Sequence, residues 1–179
     1  ADVVAVGLGI AGACTALAAV EAGTDADVLV LEAAGGGGGL SAQSGGLIYL
    51  GGGTPVQEAC GFTDTADAMY DFLVAATGPG PDEAKLRVFC DDSVEHYHWL
   101  VDHGVPFKAG FHPEPGIEPP TDDALVYSGG EDAWPFDRIA PPAPRGHKPQ
   151  HRHAAGGFLM QCLLDALATT PVRVRTDTH

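Results

Sequence analysis

The sequence predicts an α/β fold that begins with a β-α-β unit, and three observations support this prediction. Residues 3–6 are small and apolar, which is typical of a buried parallel strand. Glycines follow at positions 7, 9 and 12, and the alanine-rich segment after them indicates a helix over residues 13–22. A second apolar run over residues 28–31 ends in Glu32. Together these features predict a Rossmann-like dinucleotide-binding unit.

Each residue of the glycine turn has a distinct expected role. Gly7 permits a tight turn off the first strand, and Gly9 has no side chain, so a pyrophosphate can approach the backbone. Gly12 allows the helix to pack closely on the strand. Backbone N–H groups at the helix N-terminus, near Ile10 and Ala11, face the phosphates. The alternative is a glycine-rich turn that binds no ligand. The strands, the helix and the acid around the turn favour dinucleotide binding over this alternative.

The acid at the end of the second predicted strand indicates which nucleotide is bound. Glu32 lies about twenty residues beyond the third glycine, where a carboxylate accepts hydrogen bonds from ribose hydroxyls. The same charge disfavours a 2′-phosphate, so NADP is not expected. Ala33 follows Glu32 directly and is expected to lie at the same part of the site.

Composition excludes several classes of partner. The chain has 179 residues and a net charge of −15, from 24 acidic and 9 basic residues, so we expect no nucleic acid and no acidic membrane surface as partner. The apolar N-terminal run is explained by a strand and three glycines rather than by a membrane span. The cysteines are scattered without a CxxC motif, which indicates reduced thiols and a cytoplasmic protein.

A second glycine-rich segment follows the predicted second strand at residues 35–46 and continues into a further glycine run at 51–53. Such a segment can be a flexible linker. Its position directly after Glu32 favours a functional loop instead, whose N–H groups and hydroxyls contact a cofactor larger than NAD, including the edge of a flavin ring. An NAD-linked dehydrogenase remains a weaker alternative.

The segment 38–46 reads Gly-Gly-Leu-Ser-Ala-Gln-Ser-Gly-Gly. With the first glycine turn and Glu32, it resembles the FAD-dependent flavoproteins that include fumarate reductase, succinate dehydrogenase, L-aspartate oxidase and 3-ketosteroid dehydrogenases. The resemblance implies a glutathione-reductase-type fold and FAD as cofactor. It also implies that the ADP half, the pyrophosphate and the flavin contact Gly7, Gly9, Ile10, Ala11, Gly12, Glu32, Ala33, Gly38, Gly39, Ser41, Gln43, Ser44, Gly45 and Gly46.

The remainder of the chain is expected to form an insertion and a return to the sheet. Residues 54–104 are predicted to be helical, with one helix beginning near 63–65 and a second running from 81 to 104. Residues 105–150 form a long, mostly irregular segment rich in proline, glycine and aromatic residues. Residues 151–179 contain a buried helix and a returning strand at 172–175. The histidines at 147, 151 and 153 lack a nearby acid or cysteine, so a metal site is not expected.

Longer strings, among them residues 44–55, 95–101, 127–131 and 144–147, resemble the bacterial 3-ketosteroid Δ4-(5α)-dehydrogenase branch. That resemblance implies hydride transfer from a 3-oxosteroid to FAD. It also implies an incomplete FAD-binding domain whose partner is the remainder of a longer chain, with the cap domain, the C-terminal FAD-binding part and the catalytic residues outside this sequence. A fumarate reductase-like enzyme with another substrate and a non-catalytic dinucleotide-binding fragment remain alternatives.

Overall fold

The computed structural model describes residues 1–23, 25–116 and 118–179, which form two compact units. Unit 1 comprises Ala1–Gly46, His103–Val105 and Ala154–His179, and unit 2 comprises Leu47–Asp102 and Pro106–His153. In chain order the elements are β1 (Val3–Val6), α1 (Ile10–Glu21), β2 (Val28–Leu31), α2 (Gly39–Ala42), β3 (Ile48–Tyr49), α3 (Pro55–Ala59), α4 (Ala66–Thr77), α5 (Glu83–Asp91), α6 (Ser93–Asp102), β4 (Phe111–His112), β5 (Leu125–Val126), a 3-10 turn (Phe136–Arg138), β6 (Gly146–His147), α7 (Gly156–Ala168) and β7 (Arg173–Arg175).

Unit 1 contains the predicted β-α-β unit. Its sheet has the order β1-β2-β7 with all strands parallel, so the carboxyl ends of the three strands lie at one edge. The predicted returning strand is confirmed, because Arg173 pairs with Leu29 and Arg175 with Leu31. Strand β1 leaves apolar side chains exposed, with Val4 at 50% and Val6 at 84% of full exposure.

Helix α1 begins earlier than the sequence predicts, at Ile10 instead of residue 13, because Gly9 is already its N-cap. Ala13, Ala16 and Leu17 form its buried face. Small side chains at two of these three positions allow close packing. Helix α7 also belongs to unit 1 and buries Leu163 and other apolar residues. The prediction of a buried C-terminal helix is therefore confirmed.

Unit 2 contains a sheet that the sequence does not reveal. Within the described residues its order is β3-β6-β5-β4, and each strand is two residues long. Strands β4 and β5 are parallel, whereas β6 is antiparallel to both of its neighbours. Three of these strands lie in the segment 105–150, which the sequence presents as mostly irregular. A two-residue strand is too short to produce a detectable alternation of apolar and polar residues.

The prediction of a single helix from residue 81 to 104 is wrong. The structure forms two helices there, α5 and α6, with Asp92 between them. Asp92 is the C-cap of α5. Ser93 begins α6, is buried, and accepts the backbone N–H of Gly51 through its hydroxyl at 2.8 Å. Aspartate and serine favour helix ends over helix interiors because their side chains compete for backbone hydrogen bonds.

Among the described helices, none is both long enough and apolar enough to cross a membrane.

Candidate functional site

The three glycines of the first turn in unit 1 differ in whether the fold itself requires glycine at their position. Gly7 adopts φ +93°, which other residues rarely tolerate, and its N–H donates to Leu31 O at 2.7 Å. A Cβ at Gly12 would lie 1.9 Å from Gly7 O, so the helix reaches the turn only because this residue has no side chain. A Cβ at Gly9, in contrast, would come no closer than 3.6 Å to another atom, Ser41 Oγ. The protein's own packing does not require glycine at position 9, and the space there is available to a ligand.

The N-terminus of α1 faces this space. Gly9 is the N-cap without a side-chain hydrogen bond, and the first turn contains no acidic residue. The N–H of Ile10 is 3.3 Å from Ser41 Oγ, and Ala11 is exposed. Unsatisfied N–H groups and the helix dipole favour an anion at such a terminus. Residues 9–12 therefore fit the pyrophosphate of a dinucleotide.

Glu32 lies at the end of β2, and its carboxylate is held by backbone groups. Oε2 accepts the N–H of Leu8 at 2.6 Å, and Oε1 accepts the N–H of Ala34 at 2.8 Å. The N–H groups of Ala34 and Leu8 lower the pKa of Glu32, which keeps the side chain ionised. Each oxygen retains acceptor capacity for a ribose hydroxyl. Glu32 thus also links the end of β2 to the glycine turn after β1, and exposed Ala33 follows at the same edge.

The second glycine-rich loop lies against the first turn within unit 1. Gly38 has φ +117° and donates its N–H to Leu8 O at 2.7 Å. Gly39 and Ser41 belong to α2, after which Ser44 Oγ donates to Ser41 O at 2.8 Å. The N–H of Gly46 in turn donates to Ser44 Oγ at 3.2 Å. The side chains of Gln43 and Ser44 are exposed, and Gly45 is half-buried.

The sequence did not identify Gly156 as part of this region. The N–H of Gly156 donates to Ser44 O at 3.2 Å, and that of Ala155 donates to Gly45 O at 2.9 Å. A Cβ at Gly156 would lie 2.4 Å from Ser44 O and 2.5 Å from Ser41 O. The N-terminus of α7 therefore fixes the shape of the second loop. The Gly-Gly pair at the start of a predicted helix is the signal that could have indicated this contact.

The chain after β7 follows the chain after β2 at the same sheet edge. Asp177 donates its N–H to Ala34 O at 3.1 Å, and Thr178 donates to Glu32 O at 3.0 Å. The carboxylate of Asp177 lies 3.6 Å from where a Cβ of Gly35 would be. These residues were also missed, because the pairing of β7 with β2 joins positions more than a hundred residues apart in sequence.

The further glycine run at 51–53 belongs to unit 2, and its backbone N–H groups are already bound. Ser93 Oγ accepts from Gly51 at 2.8 Å, and Asp64 Oδ2 accepts from Gly52 at 3.0 Å. Gln57 Oε1 accepts from both Gly53 and Thr54, at 3.1 and 3.0 Å. This run resembles the loop at 38–46 in composition, but it stabilises the protein and does not present free donors to a cofactor.

A buried ion pair supports this arrangement in unit 2. Arg145 and Asp64 have fully buried side chains, and Arg145 donates from Nε at 2.9 Å and from Nη2 at 2.7 Å. Gln57 Nε2 donates to Asp64 Oδ2 at 3.1 Å and to Pro144 O at 2.8 Å. This geometry is bidentate, which is the strongest form of this pairing.

His147 contributes to the same buried network. Its Nδ1 lies 3.1 Å from Arg145 O and must donate, so Nε2 accepts from Thr54 Oγ1 at 2.7 Å. Burial lowers the pKa of His147 to about 4. Among the residues that the structure describes, no three His, Cys, Asp or Glu side chains form a group that could hold a metal ion.

Three tyrosine phenols of unit 2 are poorly suited to act as a base. Burial raises the pKa of Tyr97 and of Tyr127. Burial, and then the charge of Glu131, raise the pKa of Tyr49. Each of these side chains is therefore a neutral phenol at physiological pH.

Comparison with known proteins extends these observations to almost the whole chain. The sequence pattern of the family described as FAD binding domain matches residues 2–178. The 3-oxo-5-alpha-steroid 4-dehydrogenase of Comamonas testosteroni is 35% identical over 184 residues, which cover 98% of this chain and 33% of that protein. The chain thus spans about a third of the length of this relative.

Solved structures include closely similar folds. The 3-ketosteroid-delta4-(5alpha)-dehydrogenase of Rhodococcus jostii RHA1, in complex with 4-androstene-3,17-dione, is 54% identical with a TM-score of 0.94, over 98% of this chain and 37% of that one. A flavocytochrome c3 fumarate reductase is 24% identical with a TM-score of 0.75, over 98% of this chain and 26% of that one. The similarity to the fumarate reductase shows only that the two proteins share a fold.

Proposed function

The chain belongs to the FAD binding domain family, and on this premise we propose that it is the FAD-binding part of a flavin-dependent dehydrogenase of 3-oxosteroids. The cofactor follows from the family. The substrate class is supported by one observation, the 54% identity over 98% of the chain with the Rhodococcus jostii enzyme. The reaction would remove two hydrogens from adjacent carbons of the steroid.

We propose that the pyrophosphate is bound at the first turn. Gly9 leaves room for it, and the N–H groups of Ala11 and Gly12 are donors at the helix N-terminus. Ile10, whose N–H is shared with Ser41 Oγ at 3.3 Å, would lie beside the same group. Gly7 contributes by its positive φ, which turns the chain away from β1 and toward the helix. The support is that Gly9, unlike Gly7 with its positive φ and Gly12 with its close contact to Gly7 O, is not required to be glycine by the fold itself.

We assign the adenosine half of FAD to the end of β2, and the flavin half to the second glycine-rich loop. Glu32 and Ala33 would contact the ribose, since the ionised carboxylate keeps two acceptor positions at the sheet edge. The loop would contact the rest of the cofactor through Gly38, Gly39, Ser41, Gln43, Ser44, Gly45 and Gly46. Backbone hydrogen bonds from Gly156 and Ala155 hold Ser44 and Gly45 of this loop in place.

When bound, FAD supplies the hydride acceptor for such a reaction. The residues of this chain would bind and orient the cofactor, and the amides of the helix N-terminus would neutralise part of the phosphate charge. The steroid-binding groups and the base that removes the companion proton are proposed to lie in the remainder of a longer chain. We further propose a cytoplasmic location, which the free state of all four cysteines supports.

The test uses the full-length protein, which is this chain together with the proposed remainder, and it has two readouts. Flavin absorption that remains with the protein through gel filtration is expected, and so is conversion of a 3-oxo-5α-steroid to its 4-ene product with an artificial electron acceptor. Gly9→Val should remove the flavin, whereas Gly116→Val is a matched control, because a Cβ at Gly116 would meet no atom within 4 Å. Flavin without turnover of any 3-oxosteroid would contradict the substrate class, and absence of flavin would contradict the whole proposal.

A further inference from the structure

Lys148 follows β6 in unit 2 and has a fully buried side chain. Its ammonium group donates to three main-chain carbonyl oxygens, those of Pro119, of Thr121 at 2.5 Å and of His153 at 3.3 Å. The backbone N–H of Lys148 donates to Ala124 O at 2.8 Å, which fixes where the side chain begins. The charged group is therefore surrounded by three converging oxygen atoms.

The oxygens around Lys148 are neutral, which is unusual for a buried cation. The nearby carboxylates of Asp122 and Asp123 pair instead with Lys108, at 2.8 and 2.9 Å. Burial lowers the pKa of Lys148, and the charges of Glu118, Asp122 and Asp123 oppose this effect from a distance. Carbonyl dipoles replace the water that the ammonium loses, as they do for dehydrated monovalent ions.

We propose that the carbonyl oxygens of Pro119, Thr121 and His153 form a monovalent-cation site that the chain fills with its own Lys148 ammonium group. The ligand class follows from the donors. Three neutral oxygens suit a singly charged ion of the size of NH4⁺ or K⁺, whereas Mg²⁺ and Ca²⁺ favour sites that include carboxylates. A free ion of this class would occupy the site once the ammonium group is removed.

The site has a structural consequence for unit 2. Lys148 is separated in sequence from Pro119 by 29 residues and from Thr121 by 27 residues. The ammonium therefore holds the 119–121 segment and the turn at His153 to the end of β6. Without a cation, the three carbonyl dipoles would face one another with no positive charge between them.

The test is chemical rescue of Lys148→Ala in the intact protein. The midpoint of thermal unfolding is measured in chloride salts of K⁺, NH4⁺ and tetramethylammonium at equal ionic strength. We expect the variant to melt about 5 °C or more below the wild type in tetramethylammonium, and to recover at least half of that loss in K⁺ or NH4⁺. The wild type should show no such preference among the three salts.

Lys148→Met is the matched control, because its side chain fills the same space without a charge. It should melt below the wild type in every salt and should not be rescued. Equal melting of Lys148→Ala in all three salts, or equal rescue of Lys148→Met, would overturn the proposal.

A measurement on the wild type covers the case in which Lys148→Ala does not fold. Labelling of amines with acetic anhydride, followed by mass spectrometry, should modify Lys85, whose side chain is 85% exposed, and Lys108 before Lys148. Labelling of Lys148 at the rate of Lys85 would show that its ammonium is not held in the site.

Discussion

The glycines at positions 9 and 12 allow folding and cofactor binding to be separated by two single substitutions to alanine. Gly12→Ala places a Cβ 1.9 Å from Gly7 O, a backbone atom that no side-chain rotation can move. Ordinary contact requires about 3.5 Å, so the start of α1 must withdraw from the β1 turn by roughly 1.5 Å. We expect the free energy of unfolding to fall by about 3 kcal/mol or more, at the upper end for overpacked sites.

Gly9→Ala is expected to weaken FAD binding and to leave the free energy of unfolding almost unchanged. Its Cβ would lie 3.6 Å from Ser41 Oγ, which is ordinary contact, and φ −83° suits alanine. The free energy of unfolding should change by about 1 kcal/mol or less, the usual range for alanine at an N-cap. The methyl group would nevertheless occupy the space assigned to the pyrophosphate, so affinity for FAD should fall sharply.

The assays are urea unfolding, followed by circular dichroism, and titration with FAD, followed by flavin fluorescence. Unfolding of Gly12→Ala at the urea midpoint of the wild type would refute the packing argument. Wild-type FAD affinity in Gly9→Ala would refute the assignment of the pyrophosphate to this turn, even if the family assignment stands.

Three other predictions concern charged and titrating groups. Glu32→Gln should weaken FAD binding and loosen the glycine turn, because the carboxylate that accepts from Leu8 loses its charge; calorimetric titration with an unchanged dissociation constant would contradict this. Arg145→Met should cost about 3–5 kcal/mol in urea unfolding, since it leaves Asp64 buried without its cation, and Asp64→Asn in the same chain should recover part of the loss. His147 has a folded pKa of about 4, below the ordinary 6.5, so only the unfolded chain binds its proton between these values. The free energy of unfolding should therefore fall by about 3 kcal/mol as the pH drops through that window, and His147→Gln should show a shallower slope across the same range.

The β-α-β unit could be predicted from the sequence because its signals are local. The strand, the turn, the helix and Glu32 lie within Val3–Glu32, and the close contact of Gly12 is with Gly7, in the same turn. The returning strand at Arg173–Arg175 was predictable as a strand but not as the neighbour of β2.

The polar network of unit 2 could not be predicted, because its partners are distant in sequence. Asp64 and Arg145 are 81 residues apart, and Thr54 and His147 are 93 apart. From the sequence alone, Asp64 is interpreted as a helix-capping residue. His147 is interpreted as a member of a histidine cluster that is poorly suited to bind a metal. Only the fold brings them together at full burial, where an unpaired charge or imidazole is costly.

The sequence by itself determined the class of the protein, since a parallel β-α-β unit with three spaced glycines and a terminal acid has few physical alternatives. The tertiary structure decided that the N–H groups of the glycine run at 51–53 are not available to a cofactor. The loop at 38–46 and the run at 51–53 are similar in composition, yet Ser93, Asp64 and Gln57 bind the N–H groups of the second. A backbone N–H can serve a ligand only when no side chain has already satisfied it, and that depends on contacts across the fold.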